Sequence, residues 1–327
     1  MSIMTWQSIK LKALGTSLVF LGIMMLYSAW PASEEAPVFT VPVAVASADD
    51  TIRQAFTVSP GGLLDLSTDR GQISVVTGDD DELRVEVERR ARSSERARAF
   101  DVEFEQDDDV VRVKGKTEER SGWFGTQRGP EVHFRIHVPR TYNLNLETEG
   151  GTVRIDDLAG DIDARTAGGS ITIGEIDGSV MARTAGGSIA LAGIRGDASL
   201  RTSGGSIKID AVEGNAEVRT AGGSITLGSV SGTIDGRTSG GSITAGVIHD
   251  LQGESSLETA GGGLRVGLAT GANLLIDAST SVGKISANLD LPIDEGWTSS
   301  QMEGQIGEGG PLLRLRTAAG SITVERK

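Results

Sequence analysis

Residues 165–193 read RTAGGSITIGEIDGSVMARTAGGSIALAG, and the second half of this stretch repeats the first after 18 residues. Each copy has the pattern apolar-x-apolar-x-Thr-x-x-Gly-x-apolar-x-apolar, with apolar residues alternating on both sides of a glycine pair. Period-two alternation predicts strands, and the glycine pair predicts a tight turn between them. A helix is excluded because the apolar period is wrong and a glycine pair in every turn is costly.

The same pattern recurs ten times along the chain. Six copies follow one another every 18 residues, two weaker ones come after intervals of 21, and two outlying copies bracket the array. The copies start at Leu144, Ile162, Val180, Ala198, Ala216 and Ile234, then at Ser255 and Ile276, and finally at Leu64 and Leu313. A constant interval predicts an all-β protein, a parallel β-solenoid with 18-residue coils, in which each copy stacks on the last at about 4.8 Å.

Residue parity within one coil predicts which side chains face the core. In the coil that starts at Val180, we expect Val180, Ala182 and Thr184 to point inward, and Met181 and Arg183 to point outward. The threonines from Thr148 to Thr259 then form an inward column, which we interpret as a ladder of structural hydroxyls bonded along the stack.

The chain divides into four predicted segments. Residues 144–327 are the solenoid repeats, and residues 51–143 are a less regular β-region, with a short helix capped by Ser93, that begins the solenoid and caps its N-terminal end. Such a cap is needed because an open end exposes unpaired strand edges. Residues 33–50 form a linker, and residues 1–32 form an N-terminal membrane anchor or signal segment.

The membrane prediction depends on an uncharged stretch, residues 13–30, preceded by Lys10 and Lys12. Its length suffices for a bilayer crossing, and the positive flank places the N-terminus in the cytoplasm. A cleaved signal peptide, ending at Ala46-Ser47-Ala48, is the alternative. Both interpretations predict that the folded part is exported to the bacterial cell envelope. The anchor further predicts a single-pass protein with the solenoid outside the cytoplasmic membrane, in the periplasm, and the membrane as a partner through the N-terminal helix.

Composition narrows the function classes. The formal charge of −14 over 327 residues argues against a nucleic-acid partner. The chain has no cysteine, so thiolate metal sites are absent, and His133, His137 and His249 form no ligand set. No nucleophile–base set is identifiable either. We therefore predict no catalytic residues, no metal and no cofactor, and a protein that is not an enzyme.

Two surface features are candidate contacts for a ligand or partner. One is the outward column Arg165, Arg183, Arg201, Arg219 and Arg237, which is either a basic stripe for an anionic envelope glycan or lipid headgroup, or a charge ladder neutralised by nearby carboxylates. We favour the interpretation of the arginine column as a neutralised charge ladder. The other feature is the adjacent pair Trp123 and Phe124 between glycines, which either covers the solenoid flank or contacts a membrane protein or the membrane.

Two stretches carry a family resemblance: residues 56–78, FTVSPGGLLDLSTDRGQISVVTG, and residues 132–171, VHFRIHVPRTYNLNLETEGGTVRIDDLAGDIDARTAGGSI. With the Thr-x-Gly-Gly-x-Ile repeats, the chain resembles the bacterial putative-adhesin family of β-strand-repeat proteins over residues 51–327. The resemblance implies a β-solenoid, an envelope location and often an N-terminal export or anchoring segment, and no catalytic residues.

These observations predict a non-enzymatic, membrane-anchored β-solenoid that acts as an adhesin-like binding or scaffolding protein of the bacterial cell envelope. Two alternatives stay open. A polysaccharide-acting β-helix enzyme predicts outward carboxylates that break the repeat in one place. An envelope-stress accessory protein predicts contact with a membrane signalling partner through the anchor or Trp123.

Overall fold

The computed structural model describes residues 48–118 and 129–327, which belong to one compact unit. Within these ranges, 26 strands form a single sheet and one short helix, α1 (Ser94–Ala97), is capped by the Ser93 side chain. The prediction of an all-β, parallel β-solenoid is confirmed. In the described part of the chain, no helix has the length and apolar character that a bilayer crossing requires. The predicted anchor, residues 1–32, lies outside the described residues.

The N-terminal region, up to residue 139, contains seven strands. They are β1 (Ala48–Thr57), β2 (Leu63–Thr68), β3 (Gln72–Gly78), β4 (Glu82–Ala91), β5 (Phe100–Asp107), β6 (Val110–Thr117) and β7 (Glu131–Pro139). Strand β1 begins inside the predicted linker, because residues 48–50 pair with residues 89–91 of β4. The prediction of a linker that reaches residue 50 is therefore wrong for its last three residues.

The regular repeats form the next thirteen strands. They are β8 (Asn143–Thr148), β9 (Val153–Ile155), β10 (Leu158–Ala159), β11 (Ile162–Thr166), β12 (Ile171–Asp177), β13 (Val180–Thr184), β14 (Ile189–Arg195), β15 (Ala198–Thr202), β16 (Ile207–Thr220), β17 (Ile225–Thr238), β18 (Ile243–Leu251), β19 (Ser255–Thr259) and β20 (Leu264–Leu268). The C-terminal region adds β21 (Leu274–Val282), β22 (Ile285–Ala287), β23 (Ile293–Glu295), β24 (Ser300–Ile306), β25 (Leu312–Ala319) and β26 (Ile322–Arg326).

Parallel pairing arranges these strands in two columns. The first column, which carries the threonines, runs β6-β2-β8-β11-β13-β15, continues through residues 216–220 of β16 and 234–238 of β17, and ends with β19-β25-β21. The second column runs β7-β3-β9-β12-β14, continues through the first halves of β16 and β17, and ends with β18-β20-β26-β22.

The last copy of the repeat does not stack where sequence order predicts. Strand β25 pairs with β19 on one side and with β21 on the other, so the copy that starts at Leu313 lies between those that start at Ser255 and Ile276. Strand β26 repeats this arrangement between β20 and β22. This copy therefore does not lie outside the array, as its place at the end of the sequence suggested. The chain first closes the end of the stack with β21 and β24, and its last copy then inserts between two earlier copies.

Antiparallel strands close both ends of the stack. At the N-terminal end, β5 pairs with β6, β4 with β7, and β1 with β4. At the other end, β24 pairs with β21 and β23 with β24. Reversed strands interrupt the parallel template, which limits edge-to-edge growth of the ladder.

The core lies between the two columns as one continuous cluster of apolar side chains. Val180, Ala182, Ile189 and Leu191 are all buried in one coil, and their counterparts repeat in the coils on either side. The predicted inward and outward parity is therefore confirmed. Gly178 makes the return to the next coil at φ +150°, in the region that favours glycine.

Candidate functional site

The five predicted arginines form a straight outward row on the first column. Register pairs Arg165 with Arg183, Arg183 with Arg201, Arg201 with Arg219, and Arg219 with Arg237. Neighbouring strands lie about 4.8 Å apart, so the backbone positions of these cations are as close as a sheet allows. Like charges at that spacing destabilise a ladder unless counter-charges intervene.

Most of the row is neutralised by carboxylates two residues before the arginines or at the end of the row. The ion pairs join Arg165 to Asp163, Arg201 to Glu217 (2.8 Å), Arg219 to Glu217 (2.7 Å) and Asp235 (3.1 Å), and Arg237 to Asp235 (3.4 Å) and Glu258 (3.2 Å). Glu217 and Asp235 each bridge two coils. The row is thus largely the self-neutralised charge ladder that the sequence favoured.

Glu217 occupies the most strongly coupled position in this ladder. The hydrogen bond from Arg201 lowers the pKa of the Glu217 carboxyl, and the positive charges of Arg201 and Arg219 act in the same direction, while partial burial opposes them. The carboxyl therefore stays ionised to lower pH than a free glutamate, and the two arginines keep their counter-charge in mildly acidic surroundings.

Arg183 is the exception. Among the residues that the structure describes, no carboxylate forms an ion pair with it, although its neighbours Arg165 and Arg201 both have one. The two positions where carboxylates are missing are Met181 and Ser199, which stand in register with Asp163 on one side and Glu217 on the other. The row therefore carries an uncompensated positive charge at its second position, Arg183.

A sixth arginine, Arg316, joins the row through the rearranged C-terminal copy. It stands in register with Glu258 and binds both carboxylate oxygens of Asp277. With Arg219, Arg237 and Glu258 it borders an open groove of about 580 Å³. Arg316 is not among the five arginines predicted from the sequence, yet its place in the copy LRLRTAAGSITV matches theirs, so the repeat pattern itself identifies it.

The threonine column is a hydroxyl ladder, as predicted. From Thr166 to Thr259, each Thr Oγ1 donates to the carbonyl oxygen of a glycine in the coil before it, as in Thr184 to Gly169 (2.8 Å), and accepts the N–H of the second glycine of its own turn, as from Gly187 (3.2 Å). These hydroxyls are buried and satisfied, so they hold the turn together and are not free to bind a ligand.

The predicted aromatic contact, Trp123 and Phe124, lies outside the described residues. The structure instead shows a different exposed tryptophan, Trp297, at the tip of the hairpin that joins β23 and β24. Its side chain is fully exposed, and Val282, half-exposed, lies close by because Gly283 donates to the carbonyl of Thr298 at 3.0 Å. The sequence signal was a tryptophan between Gly296 and a run of hydroxyl residues.

Two acidic turns, at residues 79–82 and 107–109, have structural partners. Asp79 and Asp80 form ion pairs with Arg140 and Arg84, and the carboxylate of Asp109 accepts the N–H of Ser59 at 2.8 Å. Across residues 48–118 and 129–327, no group of three or more histidine and carboxylate side chains is arranged to hold a metal ion. On the first column, the outward carboxylates of Asp163, Glu217, Asp235, Glu258 and Asp277 are partners of arginines, whereas that of Asp65 accepts a hydrogen bond from Asn145.

Comparison with known proteins adds the following. A family model described as Toastrack DUF4097, a domain of unknown function, matches residues 63–325. No curated protein matches the chain. Three solved structures are similar: a putative adhesin from Bacteroides fragilis (14% identity, 85% of this chain and 97% of that one, TM-score 0.39), a putative lipid binding protein from Parabacteroides distasonis (10%, 84% and 96%, 0.35) and a putative cell adhesion protein from Clostridium sporogenes (10%, 85% and 100%, 0.20). At these identities and TM-scores, the similarities support no conclusion about function.

Proposed function

The chain belongs to the Toastrack DUF4097 family, and on that premise we propose that it is a non-enzymatic β-solenoid that acts as an adhesin-like binding or scaffolding protein of the bacterial cell envelope. The observation that carries the proposal is the outward arginine row, held in register by consecutive coils. A surface whose groups repeat on a rigid backbone suits a partner that is itself a repeating polymer, because many weak contacts then act together.

The dimensions of the stack support a binding or scaffolding role. With the antiparallel strands that close its two ends, from β5 to β23, the first column is about 60 Å long, since adjacent strands are spaced by one ladder step. Hydrogen bonds join every step of this column, and hydroxyl bonds from the threonines reinforce them. A stack of this kind presents its outward rows at constant spacing.

The test is a binding screen with residues 48–327, which contain every described strand, against a glycan array and fractionated envelope polymers at low and high salt. We expect salt-sensitive binding to an anionic polymer, because exposed charges are screened as ionic strength rises. Replacing Arg183, Arg201 and Arg219 by Gln should abolish it. The matched control replaces Arg154, Lys208 and Arg265, exposed on the second column, by Gln, with the same change of net charge.

Equal loss of binding in both triple variants would show that net charge alone, and not the arginine row, holds the polymer. Binding to no glycan or envelope fraction would overturn the adhesin-like role. Release of new reducing ends from any polysaccharide in the panel would overturn the non-enzymatic role and favour the polysaccharide-acting alternative.

We further propose that residues 1–32 anchor the protein in the cytoplasmic membrane and that the solenoid lies outside it, in the periplasm. Support comes from the uncharged residues 13–30 and from Lys10 and Lys12 on their N-terminal side. Alkaline extraction of membranes from cells that express the full chain should leave it in the pellet, at its full mass. Recovery of a soluble protein that lacks residues 1–48 would instead establish a cleaved signal.

A further inference from the structure

The second and third coils of the arginine row lack the carboxylates that the other coils supply two residues before each arginine. Two residues before each arginine the row has Asp163, then Met181 and Ser199, then Glu217 and Asp235, all on adjacent strands in register. Met181 and Ser199 are half-buried and face each other on two adjacent strands, and the exposed Arg183 lies beside them on the strand of Met181. We call Met181, Arg183 and Ser199 the charge gap.

The charge gap has the chemistry of an anion-binding site. At both of its borders, a carboxylate occupies the equivalent place and binds the arginine next to it: Asp163 binds Arg165, and Glu217 binds Arg201 at 2.8 Å. Glu217 is already shared between Arg201 and Arg219, so it leaves Arg183 without a counter-charge. The guanidinium of Arg183 keeps its planar set of donors for a group from outside the chain.

We infer that the charge gap is a subsite for the carboxylate of an acidic sugar, and that a uronate-bearing glycan is the ligand; this inference rests on the proposed function. A carboxylate fits because the same side chains bind carboxylates of the chain itself one coil away on each side. The Ser199 hydroxyl is a donor at the position where Glu217 stands in the next coil. The Met181 side chain offers an apolar surface to the C–H face of a sugar ring.

Only one uncompensated arginine lies in the row, so the subsite takes one carboxylate, and the rest of the glycan runs along the neutralised ladder. Binding is therefore weak for a single sugar and increases with the length of the oligosaccharide, because a linked second contact is intramolecular. It also weakens with salt, as the guanidinium is exposed.

The test titrates residues 48–327 with a hexamer of galacturonate, with a neutral glucose hexamer and inorganic phosphate as comparison probes. Met181→Asp supplies the missing carboxylate from the chain, and we expect it to weaken uronate binding about tenfold or more, because the new group competes for Arg183. Met181→Asn is the matched control of equal size without charge, and it should bind as the parent protein does. Arg183→Gln should lose binding to the same extent as Met181→Asp.

A second control distinguishes the subsite from general charge. Arg265 is exposed on the second column and does not belong to the arginine row, so Arg265→Gln should leave uronate binding unchanged. Equal binding by Met181→Asp and Met181→Asn, or equal affinity for the neutral hexamer or for phosphate, would overturn the inference. The envelope-polymer screen judges the proposed function separately, so binding there without any response to Met181→Asp rejects the charge gap alone. Circular dichroism confirms that each variant is folded.

Discussion

The hydroxyl of Thr202 donates a hydrogen bond of 2.8 Å to the carbonyl oxygen of Gly187, one coil before it. The Thr202 hydroxyl oxygen in turn accepts the N–H of Gly205 at 3.3 Å, so a single buried hydroxyl closes its own turn and ties that turn to the preceding one. The pattern repeats along the first column, at Thr166, Thr184, Thr220, Thr238 and Thr259.

Thr202→Val keeps the shape of the side chain and removes both hydrogen bonds. We expect the free energy of unfolding to fall by about 1–3 kcal/mol, because the Gly205 N–H and the Gly187 carbonyl lose a buried partner. Thr202→Ser retains the hydroxyl and should cost less. Urea denaturation of the two variants compares them directly, and equal losses would mean that the methyl group, and not the hydroxyl, stabilises the turn.

The second glycine of each pair packs directly on the equivalent glycine of the preceding coil. A Cβ atom on Gly205 would lie 2.0 Å from the carbonyl oxygen of Gly187, whereas a Cβ on Gly204 would lie 3.5 Å from that of Gly186. Gly205→Ala should therefore destabilise the fold by about 1–3 kcal/mol or more, since backbone has to shift. Gly204→Ala should stay within about 0.5 kcal/mol of the parent protein. Thermal unfolding of both variants tests this difference in stability. Equal stability of the two variants would mean that the stack adjusts its backbone to accept a Cβ at either glycine.

Asp50 connects the first strand to a buried arginine. Its carboxylate binds the guanidinium of Arg89 at 2.7 Å, and Arg89, only 8% exposed, also donates to the carbonyl of Phe100 at 2.7 Å. Asp50→Ala should cost about 1.5–3 kcal/mol, because Arg89 then keeps a buried charge without its counter-charge. A fragment that starts at residue 51 should be destabilised like Asp50→Ala, compared with one that starts at residue 48. Equal stability of the two fragments would contradict the role of this ion pair.

The inserted C-terminal copy should be indispensable, although it comes last in the sequence. Removal of residues 308–327 takes β25 and β26 from the inside of the stack and leaves β19–β20 and β21–β22 without their shared neighbour. Amide exchange in residues 255–287 should then rise towards that of an unfolded chain. The control deletes residues 180–197, one whole coil, and should keep cooperative folding, because the coils on either side can stack on each other. Unchanged exchange after the C-terminal deletion would overturn the observed strand order.

Tyr142 should resist ionisation. Its side chain is fully buried and its hydroxyl donates to the carbonyl of Asp109 at 2.9 Å. Burial raises the pKa of Tyr142 to about 12, with a smaller contribution from the charge of Asp109. The folded state favours the neutral phenol, so this stabilisation is complete below pH 10.0, the ordinary value, and is lost as the pH rises towards about 12.

Residues 48–327 contain no other tyrosine, so phenolate absorbance in this fragment reports on Tyr142 alone. A titration midpoint near that of a free tyrosine, with the protein still folded by circular dichroism, would contradict the buried position. Tyr142→Phe should remove the signal and cost about 0.5–1.5 kcal/mol, the net contribution of a single hydrogen bond.

Much of the candidate site was predictable from the repeat, because equal positions in successive copies share a face. The arginine row, its outward direction and the inward threonines all follow from period two and the interval of 18 residues. The pairing of charges was not predictable in the same way. Asp163, Glu217 and Asp235 stand two residues before an arginine, but Glu217 also crosses to Arg201, since side chains on adjacent strands are as close as those on one strand.

The sequence by itself determined the coil: its strands, its turns, its core parity and the glycines that let turns stack. Only the tertiary structure decided which copy lies next to which. The copies that start at Ser255, Ile276 and Leu313 share one pattern, so any of them is a template for any other, and local sequence contains no preference among neighbours. Their order follows from how the C-terminal end of the stack is closed. There β24 pairs antiparallel with β21, and the chain then returns so that β25 pairs with the edge of β19. Stacking depends on matching edges, and closure depends on the length and direction of the chain between them.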